Sequence, residues 1–112
     1  MNSKLKKINP DIHFRLLASL EEAPYLTQRA LAKKLGISLG GVNYCLQALI
    51  QAGHIKINNF NKSPKKLIYF YFLTPKGITE KSLLTASFLK RKMREYHNLK
   101  KEIESIKSRI KV

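Results

Sequence analysis

Asn43, Tyr44 and Gln47 sit close together in an uncharged run, Ser38-Leu-Gly-Gly-Val-Asn-Tyr-Cys-Leu-Gln47. Asn and Gln each offer a paired donor and acceptor, which fits the adenine edge in a major groove. Tyrosine reaches a phosphate or a thymine methyl, and serine serves several base edges or a phosphate. For that chemistry these residues must share one face. A helix provides it: Val42, Leu46, Leu49 and Ile50 step by 4, 3 and 1 and claim one side. The opposite side then carries Leu39, Gly40, Asn43, Tyr44 and Gln47, with Ser38 and Gly41 flanking it near the helix start. In isolation an ordinary solvated helix face looks the same, so the surroundings decide.

Charge is the first of these surroundings. Over 112 residues there are 22 Lys+Arg against 7 Asp+Glu, a formal net charge of +15. Such an excess favours a polyanion, because neutralised phosphates release counterions. Nucleic acid ranks first as partner, an anionic membrane surface second and acidic proteins third. The 44% hydrophobic content supports a real core. Cys45 is the single cysteine, which excludes an intrachain disulfide and a Cys-rich metal site, and it is expected to be a small buried side chain. His13, His54 and His97 are spaced without a metal pattern. No Ser/His/Asp set, phosphate loop or paired carboxylates stand out, so neither enzyme chemistry nor a cofactor is expected. The longest apolar run, Leu67 to Leu73, is far short of a bilayer span, and the lysines of the amino end precede no apolar stretch. A cytoplasmic protein without membrane association is the expectation.

The elements that position the polar face follow from caps and periods. Residues 1–9 read as a short basic tail with nothing to pack on. Asn9-Pro10-Asp11 is a strong helix start, with Ile12, Leu16, Leu17 and Leu20 on one face and a stop before Ala23-Pro24. Thr27 caps a second helix with Ala30, Leu31 and Leu35 inward, and Gly36 supplies a left-handed stop. Ser38 caps the helix carrying Asn43, which ends at Gly53. Two helices joined by a three-residue turn headed by glycine form a helix-turn-helix. Thr27, Gln28, Arg29 and Lys33 cluster at the second helix's amino end, a natural place for phosphate contacts.

The apolar period then changes from 3.6 to 2. His54 to Asn58 alternates as a half-buried strand, Asn59 to Lys66 reads as a polar basic loop, and Leu67 to Leu73 as a strand with two apolar faces. Those faces suit a strand sandwiched between the helices and another layer. Its aromatics also suggest a stacking platform for single-stranded bases, but no strand set of the required kind surrounds it. The hairpin is thus a wing whose Lys62, Lys65 and Lys66 would hold backbone phosphates.

Thr74-Pro75-Lys76-Gly77 restarts helix, and from Ile78 to Ile110 nothing interrupts it, a length of roughly 50 Å. Leu89, Met93, Tyr96, Leu99, Ile103, Ile106 and Ile110 step by 4, 3, 3, 4, 3 and 4, close to a coiled-coil seam with one irregular step. A basic helix can also lie on a membrane surface. The seam is narrow, however, and Glu95, Glu102 and Glu104 alternate with lysines as on a dimer flank. The expected fold class is mainly α with a small β-hairpin: a winged helix-turn-helix with a long C-terminal dimerisation helix. Its parts are a basic tail at 1–9, a DNA-binding domain at 10–74 and a dimerisation helix at 75–112. The expected partners are double-stranded DNA, on a near-palindromic site, and a second copy of the chain. The competing classes are a protein-interaction module assembled through the coiled coil and an RNA-binding protein.

The run Leu26 to Ile50, with Gly36-Ile-Ser38, Leu39-Gly40 and Val42-Asn-Tyr-Cys-Leu46 as its specific parts, then Leu73-Thr-Pro-Lys-Gly77 and Phe88 to Met93, resembles a known group. It is similar to small MarR-type winged-helix regulators associated with bacterial exopolysaccharide gene clusters, over nearly the whole chain after residue 9. The resemblance implies a DNA-binding transcriptional regulator of exopolysaccharide or capsule genes. Two positions depart from the group's pattern: Gly41 stands where a basic residue is common, and His54 where an aromatic one is. Longer MarR proteins dimerise through helices at both ends and often bind phenolic ligands between them. With a short tail before residue 10 that pocket is not expected, and no residue pattern points to a small-molecule effector.

Overall fold

The helix starts read from the sequence are hydrogen-bonded caps in the computed structural model, which describes residues 3–63 and 66–110. Asn9 Oδ1 accepts from the backbone N–H of Asp11 at 2.8 Å and of Ile12 at 3.4 Å, and opens α2 (Pro10–Glu22). Thr27 Oγ1 accepts from Ala30 N at 3.0 Å and opens α3 (Gln28–Leu35). Gly36 then turns the chain at φ 69°, a left-handed value that a side chain would strain. Ser38 Oγ accepts from Gly41 N at 2.9 Å and opens α4 (Leu39–Gln51). These bonds satisfy donors that a bare helix end would leave orphaned.

Leu16, Leu17 and Leu20 of α2, Leu31 of α3, and Val42, Leu46 and Leu49 of α4 are fully buried in one core. Ahead of them Ser3–Lys6 form a helical turn, α1, which packs on α4. Leu5 lies against the core and Ile8 is buried in it, so the amino end is not a tail with nothing to pack on. The apolar pair Leu5 and Ile8, three residues apart among lysines, was the overlooked signal.

β1 (Ile55–Ser63) and β2 (Lys66–Leu73) form a two-stranded antiparallel sheet. The register runs from Ile55↔Leu73 to Ser63↔Lys66, with an irregularity between Asn61 and Ser63. Residues 59–63, expected in a loop, belong to β1. Pairing with the β-prone Leu67-Ile-Tyr69 carries them into the ladder despite their polar composition. The expected sandwich is also corrected. Tyr71 is buried and Leu73 packs on the core, but Tyr69 is 44% exposed and no second layer covers the ribbon among the described residues. Among the described residues it is the base of the ribbon that meets the helices.

The final helix, α5 (Pro75–Ile110), is seated by one threonine. Thr74 N donates to His54 O at 3.0 Å, Thr74 Oγ1 donates to Gly53 O, and the same hydroxyl accepts from Gly77 N at 3.1 Å. Gly77 is buried, and a Cβ there would lie 1.9 Å from His54 O. Farther along, Phe88 stacks on Phe14 of α2 with ring centroids 4.5 Å apart. Arg91 grips Asp11, its Nε donating to Oδ1 at 3.0 Å, Lys92 Nζ is 3.7 Å from Oδ2, and Lys81 pairs with Glu21. The hydrogen bond from Arg91 holds the Asp11 carboxyl below its usual range, with burial opposing.

Two histidines that look unrelated in sequence meet in this core. His13 of α2 and His54, before β1, stack with centroids 5.8 Å apart and planes 14° from parallel. Both are buried, and His13 Nε2 and His54 Nδ1 have no hydrogen-bond partner among the described residues. Burial is the main cause that lowers both pKa values below 6.5. His54 lowers His13 further and Lys76 lowers His54, while Glu80 opposes in both cases. Lowered values mean that the unfolded chain binds protons more readily, so stability is full above pH 6.5 and is lost as pH falls below it. The Asp11 contribution fades only below 3.8, in a separate window. The expected result is a lower urea midpoint at about pH 5 than at about pH 7.5, with His13→Phe cutting that difference by about half. An undiminished difference in the variant would remove the histidine pair as its source.

Candidate nucleic-acid interface

Because Val42, Leu46 and Leu49 are locked inside, the outward face of α4 is fixed. It presents Leu39, Gly40, Asn43, Tyr44 and Gln47 to solvent, with Ser38 exposed beside them and Gly41 half-buried. The sequence-derived set is therefore brought together on one side. Lys4 of α1 sits 5.9 Å over the Tyr44 ring, a neighbour that the sequence did not announce. The adjacent glycines differ. A Cβ at Gly40 would meet nothing within 4 Å, whereas one at Gly41 would lie 3.1 Å from Ser38 Oγ, the cap oxygen. Bulk at position 41 thus presses on the cap, and Gly40 leaves open space on the outer face.

Thr27 and Ser38 use their hydroxyl oxygens as cap acceptors, which leaves each O–H free in principle to donate outward. Arg29 is exposed on the first turn of α3. Gln28 Nε2 donates to Tyr71 OH at 3.1 Å, partly buried, a partner that the sequence did not announce. Together with the Tyr71 N to Pro24 O bond at 3.1 Å, this ties the base of the hairpin to the start of α3. Lys62 and Lys66 fall within β1 and β2 by backbone, and Lys65 lies outside the described residues, as do the side chains of the other two.

The distribution of acids is more telling than the total charge. All seven, Asp11, Glu21, Glu22, Glu80, Glu95, Glu102 and Glu104, lie outside residues 23–79. That stretch contains α3, the turn, α4 and the hairpin, and its charged residues are Arg29, Lys33, Lys34, Lys56, Lys62, Lys65, Lys66 and Lys76. Two acids of α2 instead pair with bases of α5, Asp11 with Arg91 and Glu21 with Lys81, and Glu95 pairs with Lys92 within α5. This segregation was legible in the sequence as a long acid-free run. Cys45 is buried, and burial pushes its thiol up, which disfavours the reactive thiolate. Among the described residues no cluster of three or more His, Cys, Asp or Glu is placed to hold a metal, and no helix is long and apolar enough to cross a membrane.

Three helices, a glycine-headed turn and an antiparallel hairpin make this a winged helix-turn-helix fold with a long C-terminal helix. Residues 10–56 match a family profile described as winged helix-turn-helix DNA-binding. A search of curated proteins gives no significant match. Among solved structures, MepR of S. aureus superposes with a TM-score of 0.63 at 22% identity, covering 97% of this chain and 81% of that one. FabT of Streptococcus pneumoniae, solved in complex with DNA, gives 0.60 at 22% identity, covering 83% of this chain and 62% of FabT. A MarR-family transcription regulator gives 0.61 at 17% identity, covering 96% and 77%.

Proposed function

We propose that this protein is a sequence-specific, double-stranded DNA-binding transcriptional regulator that acts as a homodimer. The observation that carries this reading is the acid-free, basic stretch 23–79, which holds both the polar face of α4 and the wing. The winged-helix profile over residues 10–56 and the DNA complex of FabT support it. In this reading α4 enters a major groove and Asn43 and Gln47 bond base edges, with Tyr44 beside them. Thr27, Arg29 and Ser38 contact phosphates through helix starts, and Lys62, Lys65 and Lys66 hold backbone from the wing without reading sequence. Gly40 leaves room for the duplex to approach. A two-fold dimer then requires a near-palindromic operator. The resemblance around Leu26–Ile50 extends the proposal to exopolysaccharide or capsule genes.

Footprinting across the protein's own gene neighbourhood tests the regulatory role, and protection confined to no site there would overturn it. On the operator so found, Asn43→Ala or Gln47→Ala is expected to cost about 1–3 kcal/mol and to leave random-duplex binding nearly intact. Equal losses on both duplexes would show that these side chains do not read bases.

A further inference from the structure

α5 outruns the body that supports it. Its last ion pairs to α2 involve Arg91 and Lys92, and beyond them Tyr96, Leu99, Ile103, Ile106 and Ile110 are all exposed. Leu89, Tyr96, Ile103 and Ile110 are spaced by seven, and Leu99 and Ile106 follow three residues after Tyr96 and Ile103. These are the a and d positions of a coiled coil, with Leu89, Tyr96, Ile103 and Ile110 at a and Leu99 and Ile106 at d. The flanks are ordered too. The residues just before Tyr96 and Ile103 are Glu95 and Glu102, and those just after Leu99 and Ile106 are Lys100 and Lys107.

We infer that α5 pairs with a second copy of this chain as a parallel, in-register coiled coil. The inference rests on the homodimer proposed above and adds its orientation. In a parallel pair the residue before an a position faces the residue five places on in the other helix. Glu95 then meets the partner subunit's Lys100, and Glu102 meets the partner subunit's Lys107, each twice across the two-fold. Within one chain Glu95 already accepts from Lys92 at 3.0 Å, which leaves its second oxygen for the partner. An antiparallel pair centred on Ile103 instead sets Lys100 against the partner subunit's Lys107 and Glu102 against its own copy, and brings opposite charges together only in Glu95 with the partner subunit's Arg109. The glutamates also oppose docking on an anionic membrane, which asks for a uniformly basic rim around a broader apolar face. Since α5 leaves the winged domain at its amino end, a parallel pair sets both domains at one end of the coil.

Sedimentation of the full chain, combined with cysteine cross-linking, tests this. In a Cys45→Ser background, Ile110→Cys is expected to form a disulfide-linked dimer in a glutathione redox buffer. In an antiparallel pair the two copies of that position would lie roughly 20 Å apart, beyond disulfide reach. Lys100→Glu with Lys107→Glu is expected to weaken the parallel dimer by about tenfold or more, since glutamate then faces glutamate. In the antiparallel arrangement one repulsion merely replaces another. A dimer that neither cross-links nor responds to the charge change overturns the parallel orientation while keeping the homodimer. A chain that sediments as a monomer overturns the homodimer itself.

Discussion

Gly77→Ala is expected to destabilise the fold by at least about 3 kcal/mol, the upper end of ordinary overpacking costs. In a helix interior glycine normally loses about 1 kcal/mol to alanine, so the exchange should help if local propensity ruled. Packing rules here. The added carbon would lie 1.9 Å from His54 O and 2.9 Å from its carbonyl carbon, both backbone atoms that cannot rotate aside. Moving that carbonyl also breaks the Thr74 N bond to it and disturbs the stack of His54 on His13. For a domain with only 5–15 kcal/mol in total, roughly 3 kcal/mol is a large share. Thermal and urea unfolding monitored by circular dichroism check it, and a variant as stable as the parent would show that α5 does not sit as described.

The second large effect concerns assembly. Ile103→Glu places a carboxylate at the centre of the exposed α5 seam, where a paired helix would have to desolvate it. On the proposed homodimer, the variant is expected to sediment as a monomer while keeping the helical signal of the parent, because position 103 touches nothing else in the chain's core. Operator affinity should fall by about a hundredfold or more, the loss of having two linked binding domains on one duplex. Half-site binding should persist. An Ile103→Glu protein that remains dimeric would move the interface elsewhere.

Local signals carried well into the structure. Asn9, Thr27, Ser38 and Thr74 cap as their types suggest, and Gly36 turns as a glycine after a helix should. These features are decided within four residues of chain. The hairpin's length was misjudged because a strand's extent depends on its partner, and Asn59 to Ser63 look like a loop until Leu67 to Tyr69 lie beside them. The tie of Gln28 to Tyr71, 43 residues away, was not legible, because only the fold brings that hydroxyl to its amide. Gly77 was read only as part of the helix restart Thr74-Pro75-Lys76-Gly77, and its close approach to His54 exists only in three dimensions. The outward face of α4 was legible because its apolar complement is so regular, and what each outward side chain touches on DNA is the matter of the proposal above.

The histidine stack and the acid-free stretch together divide the molecule's response to acid. The segment 23–79 contains no acid, and its one histidine, His54, is buried. Its outer surface therefore lacks the carboxylates and the imidazole through which mild acid acts. His13 and His54, whose pKa values burial lowers, are sealed beneath it. In this part of the molecule mild acid thus acts through the buried pair and loosens the protein from within.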